Sequence, residues 1–240
     1  MGSTKSFDIV GDIAIFNKKI TKIQAKNILD SHKNIKVVAY KSGKYSGRLR
    51  TPKITILAGE RRKTTTHKES GCTFKLDIEK CYFSSRSGSE RLRIARLVKK
   101  NEFVLVMFSG IAAFPIVISK NSKAKEIHAI ELGKTPHKYA KENIKLNKIN
   151  NVKLHQGDVK RILPKIKKNF DRIIMPLPKS AESYLNLALK KLKPKGTIHL
   201  YTFANESQFK DLKKKYKKVK ITKAGQYSPK VYRVCLDFKK

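Results

Sequence analysis

Two short runs hold most of the residues whose types could do chemistry. Residues 82–91 read YFSSRSGSER and combine a tyrosine, two arginines and a glutamate. Residues 172–180 read RIIMPLPKS and end an apolar stretch in a Pro-Leu-Pro turn. A carboxylate can accept a proton, an arginine can bind a carbonyl oxygen or a phosphate, and a tyrosine ring can stack on a planar base. The two runs therefore indicate an enzyme that holds a flat, polar ring beside a cofactor.

The elements that must position these runs follow a regular order from about residue 96 onward. Apolar runs alternate with helical patterns, which predicts a doubly wound, mostly parallel sheet of the α/β class. The predicted strands are 103–109, 126–131, 151–156, 170–175, 197–203 and 231–238, and the predicted helices are 136–147, 180–192 and 206–218. Residues 1–95 contain shorter β-prone stretches and one helical pattern. We therefore expect a small α+β domain at 1–95, joined by a loop at 84–89 to a cofactor-binding domain at 96–240.

Three consecutive predicted strands end in residues suited to a nucleoside cofactor. Gly110 follows the first strand and allows close approach of the backbone, Glu131 could accept from the two ribose hydroxyls, and Asp158 could accept from an adenine amino group. Either acid alone is more often a helix cap or a solvated turn residue. Because ligands bind at the carboxyl ends of parallel strands, the coincidence favours a site there. The full predicted cofactor site is Phe108, Gly110, Glu131, Leu132, Asp158, Val159 and Pro176.

Composition indicates a polyanionic partner. The chain has 56 Lys and Arg against 18 Asp and Glu, a formal charge of +38. Heat adaptation usually enriches glutamate together with lysine, and here acids are scarce. Nucleic acid is therefore the expected partner.

The sequence does not fit the patterns of membrane, secreted or metal-binding proteins. The longest apolar run, residues 104–119, is shorter than the ~20 residues that a membrane span needs and contains a glycine and a proline. The N-terminus lacks the apolar region of a signal peptide. Three scattered cysteines form no C-x-x-C pair, which predicts reduced thiols, a cytoplasmic protein and no metal site.

The sequence resembles a known family along nearly its whole length. Stretches such as THKESGCTFKLDIEKCYFSSR, VMFSGIAAF, ENIKLNKINNV, RIIMPLP and SPKVYRVCLDF occur in order. They resemble the archaeal and eukaryotic type of tRNA guanine-37 N1-methyltransferase. The resemblance implies a class I methyltransferase fold, S-adenosylmethionine as cofactor, the anticodon loop of tRNA as partner, and a monomer. The small N-terminal tRNA-docking domain of that family has no counterpart in these 240 residues.

The resemblance also assigns roles at matching positions. It implies catalytic roles for Glu90, as base, and for Arg48; Tyr82 would offer a stacking face, and Pro176 and Pro178 would shape the turn beside the base. The arginines expected to contact the tRNA are Arg50, Arg86, Arg91 and Arg93. From spacing alone, an ion pair of Glu90 with Arg86 or Arg93 is the more probable role of that glutamate, and the resemblance reverses this preference.

Departures from the family pattern leave alternatives open. Val106 replaces an aspartate, Ala112 a glycine, and Pro176 an asparagine. The MPLP run resembles the archaeal branch that also methylates C7 of 4-demethylwyosine, giving isowyosine. One alternative is a wyosine-pathway aminocarboxypropyl transferase, although that family lacks the YFSxR…ER run and has Gly-Tyr in the Pro-Leu-Pro region. The other is a tRNA-binding module without catalysis. The mass of the tRNA product separates the three.

Overall fold

The N-terminal part of the computed structural model, which describes residues 6–43 and 51–240, contains a four-stranded sheet and one helix. The strands, in their order across the sheet, are β1 (Phe7–Val10), β2 (Ile13–Phe16), β3 (Val37–Lys41) and β4 (Ile54–Gly59). Helix α1 (Lys22–Ser31) begins at a capping box in which the side chains of Thr21 and Gln24 each accept a backbone N–H of the other. Its buried Ala25 joins a small apolar core with the sheet.

A seven-stranded sheet forms the larger part of the molecule. In chain order its strands are β7 (Phe103–Met107), β8 (Glu126–Glu131), β9 (Val152–Gln156), β10 (Phe170–Met175), β11 (Leu192–Ala204), β12 (Lys220–Ser228) and β13 (Val231–Lys239). The spatial order is β12-β13-β11-β10-β7-β8-β9. The five strands from β11 to β9 are parallel to one another. Strand β13 runs antiparallel to both of its neighbours, β11 and β12. The chain passes to one side of β7 and later returns to its other side, so the strand order reverses between β7 and β10. Ligands bind at such a switch point.

Helices cover both faces of this sheet. They are α2 (Gly88–Leu97), α3 (Ala113–Asn121), α4 (Lys134–Leu146), α5 (Val159–Ile162), α6 (Leu185–Lys191) and α7 (Phe209–Lys215). Alternate residues of β7 enter different cores: Val104 and Val106 pack with residues of α2 and α3, whereas Leu105 and Met107 pack with residues of α5 and α6. This two-residue alternation confirms the predicted doubly wound α/β fold.

A hairpin of β5 (Thr64–Glu69) and β6 (Cys72–Asp77) packs against α4. Two asparagines make the junction. Asn143 accepts from the backbone N–H of Lys75 at 2.7 Å and donates to its carbonyl at 3.1 Å. Asn147 does the same with Thr73, at 2.9 and 2.6 Å. Both amides thus extend the hydrogen bonding of β6, which explains why the ENIKLN run places asparagines at this spacing.

The expected loop at 84–89 is wrong in one respect. Residues Ser85–Ser87 form a 3₁₀ turn, and α2 begins at Gly88. Glycine and serine favoured a loop in the sequence, but burial of Ile94 and Ala95 against the core stabilises the helix. The domain boundary near residue 95 remains a prediction. In the described part of the chain, the helices are too short or too polar to cross a bilayer.

Candidate active site

A cavity of about 410 Å³ opens at the carboxyl ends of β7, β8 and β10. This volume lies in the range of roughly 300–1,000 Å³ that small-molecule sites occupy. Most of the predicted site residues line it: Tyr82, Glu90, Arg91, Phe108, Gly110, Glu131, Leu132, Asp158, Val159, Pro176 and Pro178. The structure therefore brings the YFSSRSGSER run, the three strand ends and the Pro-Leu-Pro turn together. Arg48 and Arg50 lie outside the described residues.

The turn after β7 has an unusual backbone. Phe108, Gly110 and Ala112 have φ values of +56°, +57° and +65°. Only glycine adopts this region without steric cost, so the two other residues store local strain beside the cavity. The backbone N–H of Gly110 donates to Glu131 Oε2 at 2.7 Å, which ties the turn to the end of β8.

Glu131 is a buried carboxylate at the cavity wall. Its other oxygen accepts from the backbone N–H of Gly133 at 2.7 Å. Burial raises the pKa of Glu131 above its ordinary value, even though hydrogen bonds from the backbone of Gly133, Gly110 and Leu132 oppose the rise. These three donors leave part of the acceptor capacity of the carboxylate, so the group can also accept from a ligand hydroxyl.

Asp158 caps the short helix α5. Its side chain accepts from the backbone N–H of Lys160 at 2.9 Å. The structural role considered for this acid in the sequence is therefore present. Asp158 also lines the cavity, so the cap fixes a carboxylate there.

The polar groups of the cavity fit a nucleoside ligand. Ser109 is buried, and its hydroxyl oxygen has no hydrogen-bond partner among the described residues. An unsatisfied buried hydroxyl is costly unless a ligand or water pairs with it. Together with the carboxylates of Glu131 and Asp158, it gives the cavity hydrogen-bonding groups suited to ribose and adenine, while Phe108 and Leu132 supply apolar surface.

Glu90 lies on α2, is buried and lines the same cavity. Its Oε1 accepts from the Tyr201 hydroxyl at 2.6 Å and from Arg93 Nη2 at 2.8 Å. Its Oε2 accepts from Arg93 Nε at 2.7 Å. The ion pair with Arg93 that spacing suggested is thus present, and so is the exposure of Glu90 to the cavity that a catalytic role requires.

The Glu90–Arg93 pair continues into a buried network. Arg93 Nη1 donates to Asp237 Oδ2 at 2.7 Å, and His199 Nδ1 lies 2.6 Å from Asp237 Oδ1. Arg172 Nη1 lies 2.6 Å from His199 Nε2. Because arginine only donates, Nε2 accepts and Nδ1 carries the proton given to Asp237. Burial lowers the pKa of His199, consistent with this neutral form.

Burial alone would raise the pKa of Asp237, but hydrogen bonds from His199 and Arg93 outweigh it and hold the pKa well below its usual range. Cys235 lies beside this carboxylate, with Sγ 3.0 Å from Oδ1. Donor atoms of His199, Cys235 and Asp237 lie within 4.8 Å of one another, a spacing that could hold a metal ion. Two guanidinium groups already contact these atoms, however, so the group serves as a hydrogen-bond network.

The predicted tRNA contacts at Arg91 and Arg93 find no support in this geometry. Arg91 is 4% exposed and donates to both oxygens of Glu69, at 2.5 and 2.6 Å, and to the carbonyl of Ser84. The N–H groups of the Arg93 guanidinium donate to Glu90 and Asp237. In the structure both arginines are instead engaged with carboxylates of the chain itself. Arg86 is different: its side chain is 59% exposed and ion-paired with Asp8, so its tRNA contact stays a prediction.

The aromatic and proline residues line the mouth of the cavity. Tyr82 is 44% exposed, which leaves part of the ring accessible for stacking. After Met175 the chain turns through Pro176, Leu177 and Pro178, and the N–H of Leu177 donates to the carbonyl of Met175 at 2.9 Å. The turn thus presents two prolines to the cavity.

Some lining residues escaped the sequence analysis, notably Tyr201 and Arg233. The sequence does contain a pattern that could have identified them. His199 and Tyr201 alternate on β11, and they pair directly with Asp237 and Cys235 on β13, where Arg233 pairs with Phe203. Polar residues with a period of two on adjacent strands share one face of the sheet. Polar side chains on a buried face of an otherwise apolar sheet indicate a functional site.

Comparison with known proteins agrees with the fold. The profile of the TRM5/TYW2 methyltransferase domain matches residues 65–228, and that of the TYW2 N-terminal domain matches residues 2–63. A tRNA (guanine(37)-N(1))-methyltransferase Trm5b of Pyrococcus abyssi is 37% identical over 98% of this chain and 74% of its own length. The tRNA (guanine(37)-N(1))/4-demethylwyosine(37)-methyltransferase Taw22 of Nanoarchaeum equitans is 34% identical over 89% of this chain and 88% of its own.

A third relative, the tRNA(Phe) (4-demethylwyosine(37)-C(7)) aminocarboxypropyltransferase of Methanocaldococcus jannaschii, is 34% identical over 96% of both chains. Among solved structures, aTrm5 in complex with tRNALeu superposes with a TM-score of 0.85 at 31% identity, covering 98% of this chain and 72% of that one. M. jannaschii TYW2 in complex with AdoMet gives 0.72 at 29% identity, covering 98% of both. The extent of these matches over both parts of the chain shows that the protein belongs to the TRM5/TYW2 methyltransferase family.

Proposed function

We propose that this protein is an S-adenosylmethionine-dependent tRNA methyltransferase that modifies N1 of guanosine at position 37. The observation that carries the proposal is the single cavity that holds both a nucleoside-binding set, Glu131 and Asp158, and the buried carboxylate of Glu90. The Pyrococcus relative and the structure with bound tRNA support the substrate. The structure of M. jannaschii TYW2 with AdoMet supports the cofactor.

Residues of the cavity would hold the cofactor as follows. Glu131 would accept from the ribose hydroxyls, Asp158 would lie near the adenine, and Phe108, Leu132, Val159 and Pro176 would supply the apolar walls. When bound, S-adenosylmethionine supplies a methyl group activated by its sulfonium. Glycine at position 110 keeps the adjacent turn free of a side chain.

The remaining chemistry falls to the chain itself. N1 of guanine carries a proton, which must leave before or while the ring nitrogen acts as nucleophile. Glu90 would accept that proton. Tyr82 would stack on the base, and the turn at Pro176 and Pro178 would hold it in line with the methyl donor. Arg48 would bond the carbonyl oxygen, on which negative charge grows as the proton leaves.

The direct test is nucleoside mass spectrometry of tRNA incubated with the protein and S-adenosylmethionine. We expect the product to gain the mass of one methyl substitution at guanosine 37. A gain equal to an aminocarboxypropyl group would identify the other reaction, and an unchanged mass would mean that the protein binds tRNA without modifying it.

The aminocarboxypropyl transferase alternative has a specific observation in its favour. The N-terminal residues 2–63 match the TYW2 N-terminal domain, and the M. jannaschii aminocarboxypropyltransferase matches this chain over 96% of both lengths. The methyltransferase is preferred because the YFSSRSGSER run and the Pro-Leu-Pro turn, which distinguish the two resemblances, both line the cavity. Monomeric, metal-independent and cytoplasmic action belong to the same proposal.

Cofactor binding gives the first prediction. Glu131→Ala and Asp158→Ala should each weaken S-adenosylmethionine binding by about 1–3 kcal/mol, because each removes a charged hydrogen-bond acceptor. Isothermal titration calorimetry measures the loss. Glu126→Ala is the matched control, since Glu126 begins the same strand β8 at its opposite end and pairs with Lys153 and His128. Unchanged affinity in both test variants would show that these acids serve only the fold.

Base selection gives the second prediction. We propose that the protein also methylates 4-demethylwyosine, at C7. The name of the Nanoarchaeum relative states methylation of 4-demethylwyosine 37 for that protein. Asparagine can hydrogen-bond a guanine edge, whereas proline offers only shape and stiffness. Pro176→Asn should therefore keep or raise methylation of guanosine 37 and reduce methylation of the tricyclic base.

The experiment compares initial rates on the two tRNA substrates, each supplied separately. Pro164→Asn, in an exposed 3₁₀ turn away from the cavity, is the control and should leave the ratio of rates unchanged. If Pro176→Asn also leaves the ratio unchanged, another residue selects the base. If the unmodified protein never methylates the tricycle, only the guanine activity stands.

A further inference from the structure

The hydrogen bonds of Glu90 are distributed unequally between its two oxygens. An ionised carboxylate has about four lone-pair positions, two on each oxygen. Oε1 receives two donors, the Tyr201 hydroxyl at 2.6 Å and Arg93 Nη2 at 2.8 Å. Oε2 receives one, Arg93 Nε at 2.7 Å. Among the described residues, therefore, the remaining lone pair of Glu90 is on Oε2.

Arg93 is itself held in place from behind. Its Nη1 donates to Asp237 Oδ2 at 2.7 Å, and its Nη2 lies 3.4 Å from Oδ1 of the same carboxylate. The planar guanidinium thus bridges two carboxylates and cannot rotate without breaking several bonds. Asp237 is fixed in turn by His199. The two N–H groups of Arg93 that donate to Glu90 are therefore held in a single orientation.

Tyr201 is fixed as well. Its ring is 2% exposed and packs edge-on against Phe114, with ring centroids 5.9 Å apart. Burial raises the pKa of the Tyr201 hydroxyl well above its ordinary value, so the group stays protonated and donates. The charged partner of this hydroxyl is Glu90, whose Oε1 accepts from it.

We infer that Tyr201 is a positioning residue of the methyl-transfer reaction: with Arg93 it saturates Oε1 of Glu90 and leaves Oε2 as the atom that accepts the proton from the base. The inference rests on the proposed role of Glu90 as base and adds which atom acts and what selects it. Donors to the ionised carboxylate also favour its charged form.

The other groups facing Glu90 define what else could affect its titration. The ionisable groups around it are Arg93 on its own helix, His199 and Tyr201 on β11, Cys235 and Asp237 on β13, and Tyr82, Arg91 and Arg233 around the same cavity. Burial raises the pKa of the Cys235 thiol well above its ordinary value, so this group stays neutral. Removal of the Tyr201 hydroxyl takes away its interactions with Glu90 and with the neutral Cys235, so Glu90 is the charged group that loses a donor.

The test is Tyr201→Phe, which keeps the ring and removes the hydroxyl. The acidic limb of the single-turnover rate–pH profile should move to higher pH by about one pH unit, the tenfold effect typical of one hydrogen bond to a charged group. Cofactor affinity should not change. Tyr216→Phe is the matched control, because Tyr216 is also buried and donates to a glutamate, Glu182 Oε1 at 2.7 Å, away from the cavity. Its profile should match that of the unmodified protein.

A second measurement does not depend on turnover. Carbon-13 NMR of labelled glutamate, with Glu90→Gln used to assign the signal, follows protonation of the Glu90 carboxyl directly. The signal should titrate at higher pH in Tyr201→Phe than in the unmodified protein and in Tyr216→Phe. An unmoved titration and an unmoved acidic limb would overturn the inference while leaving the proposed function intact. If the unmodified protein transfers no methyl group, the proposed function fails, and the NMR titration still decides the role of Tyr201. Should Tyr201→Phe not fold, Arg93→Lys tests the same arrangement, since lysine cannot hold both oxygens at once.

Discussion

Glu90→Gln should lower the single-turnover rate of tRNA methylation by about 10²-fold or more, the usual loss when a general base is removed. Glutamine has nearly the same shape and can still accept from Tyr201 and Arg93 through its carbonyl oxygen. It cannot accept the proton of the base. The fold and the binding of both ligands should therefore survive, and the loss should appear in the chemical step alone.

The measurement is a rapid-quench single-turnover assay with enzyme in excess over tRNA. Glu126→Gln is the control, because it neutralises a partly buried, ion-paired glutamate at the far end of β8. Its rate should stay within a few-fold of the unmodified protein. Equal rates for Glu90→Gln and the unmodified protein would reduce Glu90 to the structural ion pair that its three-residue spacing from Arg93 already predicted.

The fold was largely predictable because burial on both faces leaves a strong trace in sequence. Strand β7 is a continuous apolar run, β8 and β10 are almost wholly buried, and each prediction lay within a few residues of the observed strand. Strand β12 (Lys220–Ser228) was missed because it lies at the edge of the sheet, where only Ala224 is buried and the pattern stays polar. Helix α2 was missed because its first turn contains glycine and serine.

The cavity was predictable for a different reason. In a parallel sheet the carboxyl ends of neighbouring strands meet at one edge, so Gly110, Glu131 and Asp158 could be grouped from strand order alone. The hydrogen-bond partners of Glu90 could not be predicted in this way. Tyr201 lies 111 residues from Glu90 along the chain, and Asp237 lies 144 residues from Arg93. Such contacts depend on which face of the sheet α2 covers, and strand patterns do not specify this.

The electrostatic character of tRNA binding follows from how the charges are used. Most acidic side chains are held in ion pairs, such as Glu102 with Arg172 and Glu126 with Lys153. The excess of lysine and arginine that makes the charge +38 therefore has few acidic partners to neutralise it. Arg91 is buried in such a pair, and the Arg93 side chain, 25% exposed, is paired with Glu90 and Asp237. We expect exposed lysines and arginines, rather than the inward face of α2, to contact the phosphates.

tRNA affinity should consequently fall steeply with salt. Each neutralised phosphate releases a counterion, so a plot of log affinity against log salt should be linear with a slope of several units. With about 6–10 phosphate contacts, affinity would fall by roughly 10³–10⁵-fold between about 50 and 200 mM salt. Fluorescence anisotropy with labelled tRNA measures the slope. Binding of S-adenosylmethionine to the same protein is the internal control and should change little, because this small ligand carries no condensed counterions to release. A nearly flat plot for tRNA would mean that shape and base contacts, rather than the excess positive charge, hold the RNA on this enzyme.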